Sequence, residues 1–192
     1  MLIQIVLFVL DSVCSFMTFA LLARFALQWA RAPFRNPLGQ FIVAVTDWMV
    51  RPARRLVPGL FGLDMASLLL AWLWQVVYNG IALGLSGVLG AVSLAPALLV
   101  ALLAALELAR MGLYLVMGAV LVAAVFSWVN PCAPLADVFN TLTRPLLRPF
   151  RRVIPPIGGV DLSPLALLLV LQVGLFVVAG LRHNLMPLIL IS

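Results

Sequence analysis

Charge is scarce in this chain. Only 9% of its 192 residues are charged, whereas 65% are hydrophobic. About a quarter of the residues in an average soluble domain are charged. A soluble monomer is therefore excluded. Several apolar runs approach the roughly 20 residues that cross the hydrocarbon core of a bilayer, so we predict an integral membrane protein.

Histidine and cysteine are also nearly absent. The single histidine is His183, and the two cysteines, Cys14 and Cys132, lie far apart in the sequence. Zinc and covalent haem sites need clustered His and Cys residues, and no such cluster is present. The sequence contains no phosphate-binding loop and no histidine near a candidate nucleophile. We expect no cofactor, no metal site and no enzymatic activity.

Lysine is missing altogether, and the twelve arginines that carry the positive charge are unevenly distributed. Residues 24–64 contain six arginines and two aspartates, a net charge of +4, and residues 130–161 contain four arginines and two aspartates, a net charge of +2. Residues 85–97 carry no charge. Because basic residues mark cytoplasmic loops, both arginine-rich segments are predicted to be cytoplasmic and the uncharged segment external. This distribution favours anionic lipid over nucleic acid as a partner.

Four runs are long and apolar enough to span a membrane. The predicted spans are residues 2–26, 65–85, a part of 97–128, and 162–181. The third is predicted to be one long or tilted helix, because a break at Glu107 would leave a first piece too short to span. Gly80 and Gly84 predict a close approach between helices. Four spans place both termini outside, which in a bacterial inner membrane is the periplasm.

The chain contains an internal repeat with an offset of 97 residues. The offset holds without a gap from Pro37 to Gln75 and pairs Arg51 with Arg148, Asp64 with Asp161 and Gln75 with Gln172. Each copy contains two spans, so both copies have the same orientation. The repeat predicts units at 1–89 and 90–192, related by a pseudo-two-fold axis along the membrane normal.

An amphipathic segment precedes the arginines in each copy. In the first copy, the apolar residues recur at helical spacing, as in a helix that lies in the membrane interface; they are Phe41, Ile42, Val45, Trp48 and Met49. The predicted lipid- or partner-binding residues follow on one helical side: Arg51, Arg54 and Arg55, and then Arg144, Arg148, Arg151 and Arg152. A guanidinium group suits bidentate contact with phosphate or carboxylate. The alternative is that these arginines only set topology and snorkel to the headgroups.

Prolines and glycines follow the amphipathic segments. They are Pro52 and Pro149 inside the arginine clusters, Pro58 and Pro155 after them, and Gly62 and Gly159 before the next spans. Proline predicts that each interfacial helix bends or ends here, and glycine permits a tight turn. Asp64 and Asp161 precede apolar runs and are predicted to cap helices. The alternatives are ion pairs with the arginines, or a proton or cation site.

Five polar residues inside the predicted spans are candidates for an intramembrane role: Asp11, Gln75, Glu107, Arg110 and Gln172. Such groups usually face the bundle interior or water. Gln75 and Gln172 are expected near the bilayer midplane, where each needs a partner, most simply the other glutamine across the axis. Glu107 and Arg110 lie three apart and can partly neutralise each other. The offset matches Asp11 to the residue beside Glu107, which favours ion or proton handling as an alternative function.

The doubled motif carries a family resemblance. RPARRLVPGLFGLD and RPFRRVIPPIGGVDLSP, the second preceded by SWVNP, resemble the YggT family of small bacterial membrane proteins over nearly the whole chain. The resemblance implies links to osmotic and salt tolerance, with plastid relatives in cytochrome b6 maturation and in nucleoid or division organisation, and no assigned catalytic residues. The first copy departs by carrying Met65-Ala66-Ser67 where the second has Leu162-Ser163-Pro164, and it lacks SWVNP.

We therefore predict an all-α membrane protein with four transmembrane helices in two parallel repeats, each with an interfacial amphipathic helix. The expected function is a non-catalytic scaffold or assembly factor for envelope integrity, whose arginine clusters hold anionic lipid headgroups or other membrane, division or assembly proteins. Association into a homo-oligomer is compatible with this function. The alternative is an ion transporter or channel subunit whose path is lined by Asp11, Gln75, Glu107 and Gln172.

Overall fold

Six α-helices make up most of the computed structural model, which describes residues 1–57, 59, 63–85, 94–130, 133–154 and 161–191. The helices are α1 (Leu2–Trp29), α2 (Pro37–Leu56), α3 (Met65–Leu85), α4 (Leu94–Val129), α5 (Pro134–Val153) and α6 (Ser163–Ile191). The described residues contain no β-strand. The all-helical prediction is confirmed.

Four of these helices are long and apolar enough to cross a membrane, as predicted. The candidate spans are Leu2–Trp29, Met65–Leu85, Ala97–Ser127 and Ser163–Leu185. Helix α4 is continuous through Glu107, so the single long third span is confirmed. Helix α1 ends at Trp29, three residues beyond the predicted boundary, and α6 continues past Arg182, which an ion pair with Glu107 neutralises. A charge with a fixed partner does not have to end a span.

Helices α2 and α5 each contain 20 residues, and they begin and end at positions 97 apart. Each begins with a proline, whose missing N–H has no helical partner at that position. The Oδ1 of Asn36 caps α2 by accepting the amide of Gly39 at 2.7 Å. Both helices continue through Pro52 and Pro149.

Both helices end two residues before a further proline. Val57 and Ile154, which follow the last helical residues, are extended, with φ of −120° and −108°. A proline ring disfavours the helical conformation in the residue before it, which accounts for the extended Val57 and Ile154 at the matched ends. Pro58, Pro155, Gly62 and Gly159, for which a turn was predicted, lie outside the described residues, as do Cys132 and parts of the SWVNP segment.

Two sides of α2 are apolar. Ile42, Thr46 and Val50 are buried against the bundle, whereas Phe41 and Trp48 are exposed. The ring of Phe41 packs edge-on against Phe16, 13 residues before the end of α1. The apolar residues that were predicted to share one face of α2 are thus divided. Some face the bundle, and others are exposed on the outer side of the helix.

The halves are joined through α4. Helix α1 packs against α3, and helix α4 packs against α6. Helices α2 and α5 lie beside the spans of their own half. Helix α4 also packs against α3 and α1, but no contact of comparable extent joins α6 to α1 among the described residues. A two-fold axis would require that second contact, so the described helices do not form the predicted two-fold arrangement.

This packing separates the two matched glutamines. The side chain of Gln75 is buried, and its amide donates to Thr18 Oγ1 at 3.1 Å and to the sulfur of Met111 at 3.5 Å. Gln172 is exposed on α6. The predicted Gln75–Gln172 pair is therefore wrong, because α3 lies between two spans and α6 has one span beside it. The predicted close packing at Gly80 and Gly84 is not found within the described part of the chain, where no atom of another element lies within 4 Å of a Cβ built at either glycine.

Replacing Gln75 with leucine should destabilise the protein more than the matched Gln172→Leu change. Gln75→Leu removes the bond to Thr18, and interhelical hydrogen bonds in membranes contribute about 0.6–1.7 kcal/mol. Gln172→Leu removes an exposed amide and should leave stability unchanged or raised. Thermal unfolding of both variants in one detergent tests this. Equal effects would contradict the interior position of Gln75.

Candidate functional site: the arginine end

One end of the bundle carries most of the arginines. It is formed by α2 and α5, the last turns of α1 and α4, and the starts of α3 and α6, and we call it the arginine end. All seven predicted lipid- or partner-binding arginines lie on α2 or α5 at this end. They divide into two groups with different chemical surroundings.

The first group surrounds the buried Arg24. The side chain of Arg24 is only 6% exposed. Its Nη1 donates to Thr46 Oγ1 at 2.9 Å, its Nη2 donates to Asp47 Oδ1 at 3.1 Å, and its Nε lies 3.5 Å from Asp64 Oδ2. One guanidinium group therefore links α1, α2 and the residue before α3. Asp47 is shared, since it also pairs with Arg51 at 2.6 Å.

Asp64 has both of the roles that the sequence left open. Its Oδ1 accepts the backbone amide of Ser67 at 3.4 Å, a helix-cap interaction, and its Oδ2 accepts Arg54 Nη2 at 2.6 Å and the Ser67 hydroxyl at 2.7 Å. Burial raises the pKa of this carboxyl, but the hydrogen bonds from Arg54 and Ser67 outweigh burial and hold the pKa below its usual value. Bonding to Asp64 raises the pKa of the Arg54 guanidinium.

The second half contains the matched ion pair in a more open setting. Arg151 Nε donates to Asp161 Oδ2 at 2.8 Å, where the Asp161 side chain is 40% exposed. Asp161 lies two residues before α6, and its Oδ1 accepts the amide of Ser163 at 2.9 Å. Burial raises the pKa of Asp161, and the bonds from Ser163 and Arg151 bring it below the usual value.

The remaining arginines of the second half surround a cavity. It has a volume of about 860 Å³ and lies between the end of α1 and α5. Its lining includes Trp29 and Thr141, together with five arginines: Arg31, Arg144, Arg148, Arg151 and Arg152. Of the predicted arginines, Arg51 and Arg54 in the first half are thus paired within the chain. Those of the second half lie around a cavity.

Sequence reasoning missed three residues of this end. Arg24 and Asp47 entered only as charges of a loop, although an arginine inside an apolar run signals a buried partner. Arg31 reaches the cavity from the other half of the chain, and no local pattern indicates that contact. Arg51, Arg54 and Arg55 do not line this cavity.

The predicted intramembrane residues do not meet in one place. Glu107 is buried and pairs with Arg110 and, at 2.8 Å, with Arg182 Nη1. These three residues line a second cavity of about 250 Å³, which Asp11, Gln75 and Gln172 do not line. Asp11 lies beside the hydroxyl of Tyr78. Within the described ranges, no three metal-ligating side chains are grouped to hold an ion.

The fold and the doubled arginine motif agree with sequence comparison. The sequence model of the CCB3/YggT family matches residues 3–85 and 102–182. The chain belongs to the CCB3/YggT family. The two matched segments contain α1–α3 and most of α4–α6 of this family member, so the resemblance inferred from the motif is confirmed.

Relatives of the chain cover most of its length. The YggT protein of Escherichia coli strain K12 is 39% identical over 167 residues, covering 86% of this chain and 85% of that protein. Protein PA0392 of Pseudomonas aeruginosa is 37% identical, covering 86% of this chain and 84% of that protein. A Vibrio alginolyticus protein named for the proC 3′ region is 35% identical, covering 91% and 93%. No solved structure matches the chain.

Removing the Arg24 guanidinium should strongly destabilise this family member. Arg24→Met leaves the buried Asp64 and the half-buried Asp47 with one partner fewer each. Loss of one partner from a buried ion pair costs about 3–5 kcal/mol. We expect the lower end of that range because Asp64 keeps Arg54. Arg55→Met, on the exposed side of α2, is the control, with a loss within about 0.5 kcal/mol. Chemical unfolding in mixed micelles measures both, and equal losses would contradict the buried network.

Acid should weaken the fold through Asp64. Since the folded-state pKa is below the usual value, the stabilisation is present above the ordinary carboxyl pKa of about 3.9 and is lost as the pH falls through the folded-state value. Thermal unfolding midpoints between about pH 6 and pH 3 should fall at the acid end. The Asp64→Asn variant should lose less than the unaltered protein, and a parallel acid loss in both would contradict this role.

Proposed function

We propose that the protein is a non-catalytic membrane scaffold or assembly factor that holds anionic lipid headgroups or partner proteins at its arginine end. The observation that carries the proposal is the cavity lined by five arginines. Guanidinium groups bind phosphate and carboxylate by paired hydrogen bonds. Membrane, division or assembly proteins with acidic surfaces are the alternative occupants of the same arginines, and a homo-oligomer is compatible with either.

The proposed placement is the bacterial inner membrane, with the arginine end in the cytoplasm. Arginine enrichment marks the cytoplasmic side, and four spans then put both termini in the periplasm. The exposed Phe41 and Trp48 support a position of α2 at the membrane interface.

The two halves, 1–89 and 90–192, are proposed to be parallel repeats. Three observations support this: α2 and α5 have matching bounds, the Arg54–Asp64 ion pair recurs as Arg151–Asp161, and the family match falls in two segments. Two interfacial helices on the same side would give the scaffold one continuous arginine-bearing surface. Envelope integrity and osmotic or salt tolerance follow as the proposed physiological role.

The second candidate function is ion transport, favoured by the buried Glu107 beside a cavity. Two arginines already neutralise this carboxylate, and the other polar residues proposed for a path lie elsewhere. Such an arrangement supports a structural ion cluster more than a pathway. In reconstituted vesicles, Asp11→Asn with Glu107→Gln should leave ion flux unchanged; loss of a flux that the unaltered protein supports would favour transport.

Replacing exposed arginines of both halves tests the scaffold function. The variant Arg51→Gln/Arg55→Gln/Arg148→Gln/Arg152→Gln keeps the Arg54–Asp64 and Arg151–Asp161 ion pairs and removes the exposed pair of Arg51 with Asp47. In a strain that lacks the native protein, we expect it to fail to restore growth at high salt, because it removes Arg148 and Arg152, two of the arginines that line the cavity.

Lysine at the same four positions provides the matched control. Lysine keeps the positive charge that sets orientation but lacks the bidentate fork of arginine. If arginine contacts are required, the lysine variant should keep orientation and abundance while restoring growth only in part. Full restoration by the glutamine variant, with normal orientation and abundance, would contradict the proposed function.

A further inference from the structure

The positive charge around the larger cavity is largely unpaired. Of its five arginines, Arg151 is paired with Asp161. The others form no ion pair with any residue that the structure describes, and they are Arg31, Arg144, Arg148 and Arg152. Like charges grouped on one wall repel one another, and a bound anion removes that repulsion.

The first half shows what the second half lacks. At position 47 the first half has an aspartate, which accepts Arg24 and pairs with Arg51. At the matched position, 97 residues later, the second half has Arg144. The charge at this position is negative in the first half and positive in the second. In the second half, the negative charge that balances the arginines must therefore come from a ligand.

Arg31 adds a backbone argument. Its φ is 55°, the left-handed region, where a side chain is unfavourable. The amide of Ala32 donates to the Leu27 carbonyl at 2.9 Å and the amide of Arg31 to the Gln28 carbonyl at 3.0 Å, the bonds of a Schellman helix end. Glycine is the usual residue at this position. The turn does not account for an arginine, whereas the cavity does, because Arg31, two residues after the end of α1, lies in its wall.

The residues around the cavity favour a phosphate group at the membrane surface as the bound anion. Arginine binds phosphate through two parallel hydrogen bonds, and several arginines can share one phosphate group. Trp29, the last residue of the first span, also lines the cavity, and tryptophan concentrates at the headgroup level of membranes. The volume lies within the range of about 300–1,000 Å³ that is typical of small-molecule sites.

We infer that this cavity binds the phosphate group of an anionic phospholipid, and that the first half of the chain has no equivalent site. The inference rests on the proposed function and specifies its ligand. Arg24, Arg51 and Arg54 then stabilise the fold through their ion pairs. The headgroup is bound by the unpaired arginines of the cavity: Arg31, Arg144, Arg148 and Arg152.

Lipid binding by matched variants tests the inference. The full chain in detergent is titrated with phosphatidylglycerol, and bound lipid is counted by native mass spectrometry. Each arginine near an anionic headgroup contributes about fivefold in affinity, so Arg148→Gln/Arg152→Gln should weaken binding about 25-fold. The matched Arg51→Gln/Arg55→Gln variant should weaken it less than about twofold.

Two further ligands separate the lipid from other sources of negative charge. Phosphatidylcholine, which has no net charge, should bind more weakly than phosphatidylglycerol. Glycerol phosphate, which has the phosphate but no acyl chains, should not displace the lipid at equal concentration. Displacement would overturn the lipid assignment in favour of a soluble phosphate compound. Equal losses in both double variants would overturn the site in favour of diffuse surface attraction.

The Arg31→Gly variant tests lipid binding even if the other variants fold poorly. Glycine suits the left-handed turn, so the thermal midpoint should hold or rise while phosphatidylglycerol affinity falls about fivefold. Unchanged affinity would contradict the role of Arg31. If Arg148→Gln/Arg152→Gln binds lipid normally but fails to restore growth at high salt, the lipid site is wrong while the scaffold function stands, with the arginines contacting protein.

Discussion

The buried charge of Arg24 is the constraint on which the first half depends. A guanidinium group with 6% exposure is tolerated only where fixed acceptors surround it, and here α2 and the start of α3 supply them. Asp47 holds α2 against α1, and Asp64 places the first turn of α3 beside both. The arginine end of this half is therefore organised by its own charges.

The second half has the same helices with different chemistry. Leu121 occupies the position that matches Arg24, and Arg144 the position that matches Asp47. The ion pair between α5 and the segment before α6 remains, so the course of the chain is kept without a buried network. The other arginines of α5 have no ion pair among the described residues and line a cavity; they are Arg144, Arg148 and Arg152. One architecture thus carries a stabilising group of charges in one half and a group available to a ligand in the other.

Local chemistry made much of this fold predictable. Apolar length defined the four spans, and prolines 97 residues apart defined matched helices that end two residues before a proline. Contacts between distant segments were not predictable. Gln75 and Gln172 share a register position, yet one is interior and the other exposed, because that depends on which helices flank them. Likewise, the sequence places Arg182 at the end of an apolar run, but it does not indicate that Arg182 forms an ion pair with Glu107.

The most direct test of the difference between the halves is an experimental density map of the protein in lipid nanodiscs that contain phosphatidylglycerol. We predict headgroup density in the cavity beside Arg144 and Arg148, and none at the matched position beside Asp47 and Arg51. Density of equal strength at both positions, or an empty cavity beside ordered arginine side chains, would contradict the account.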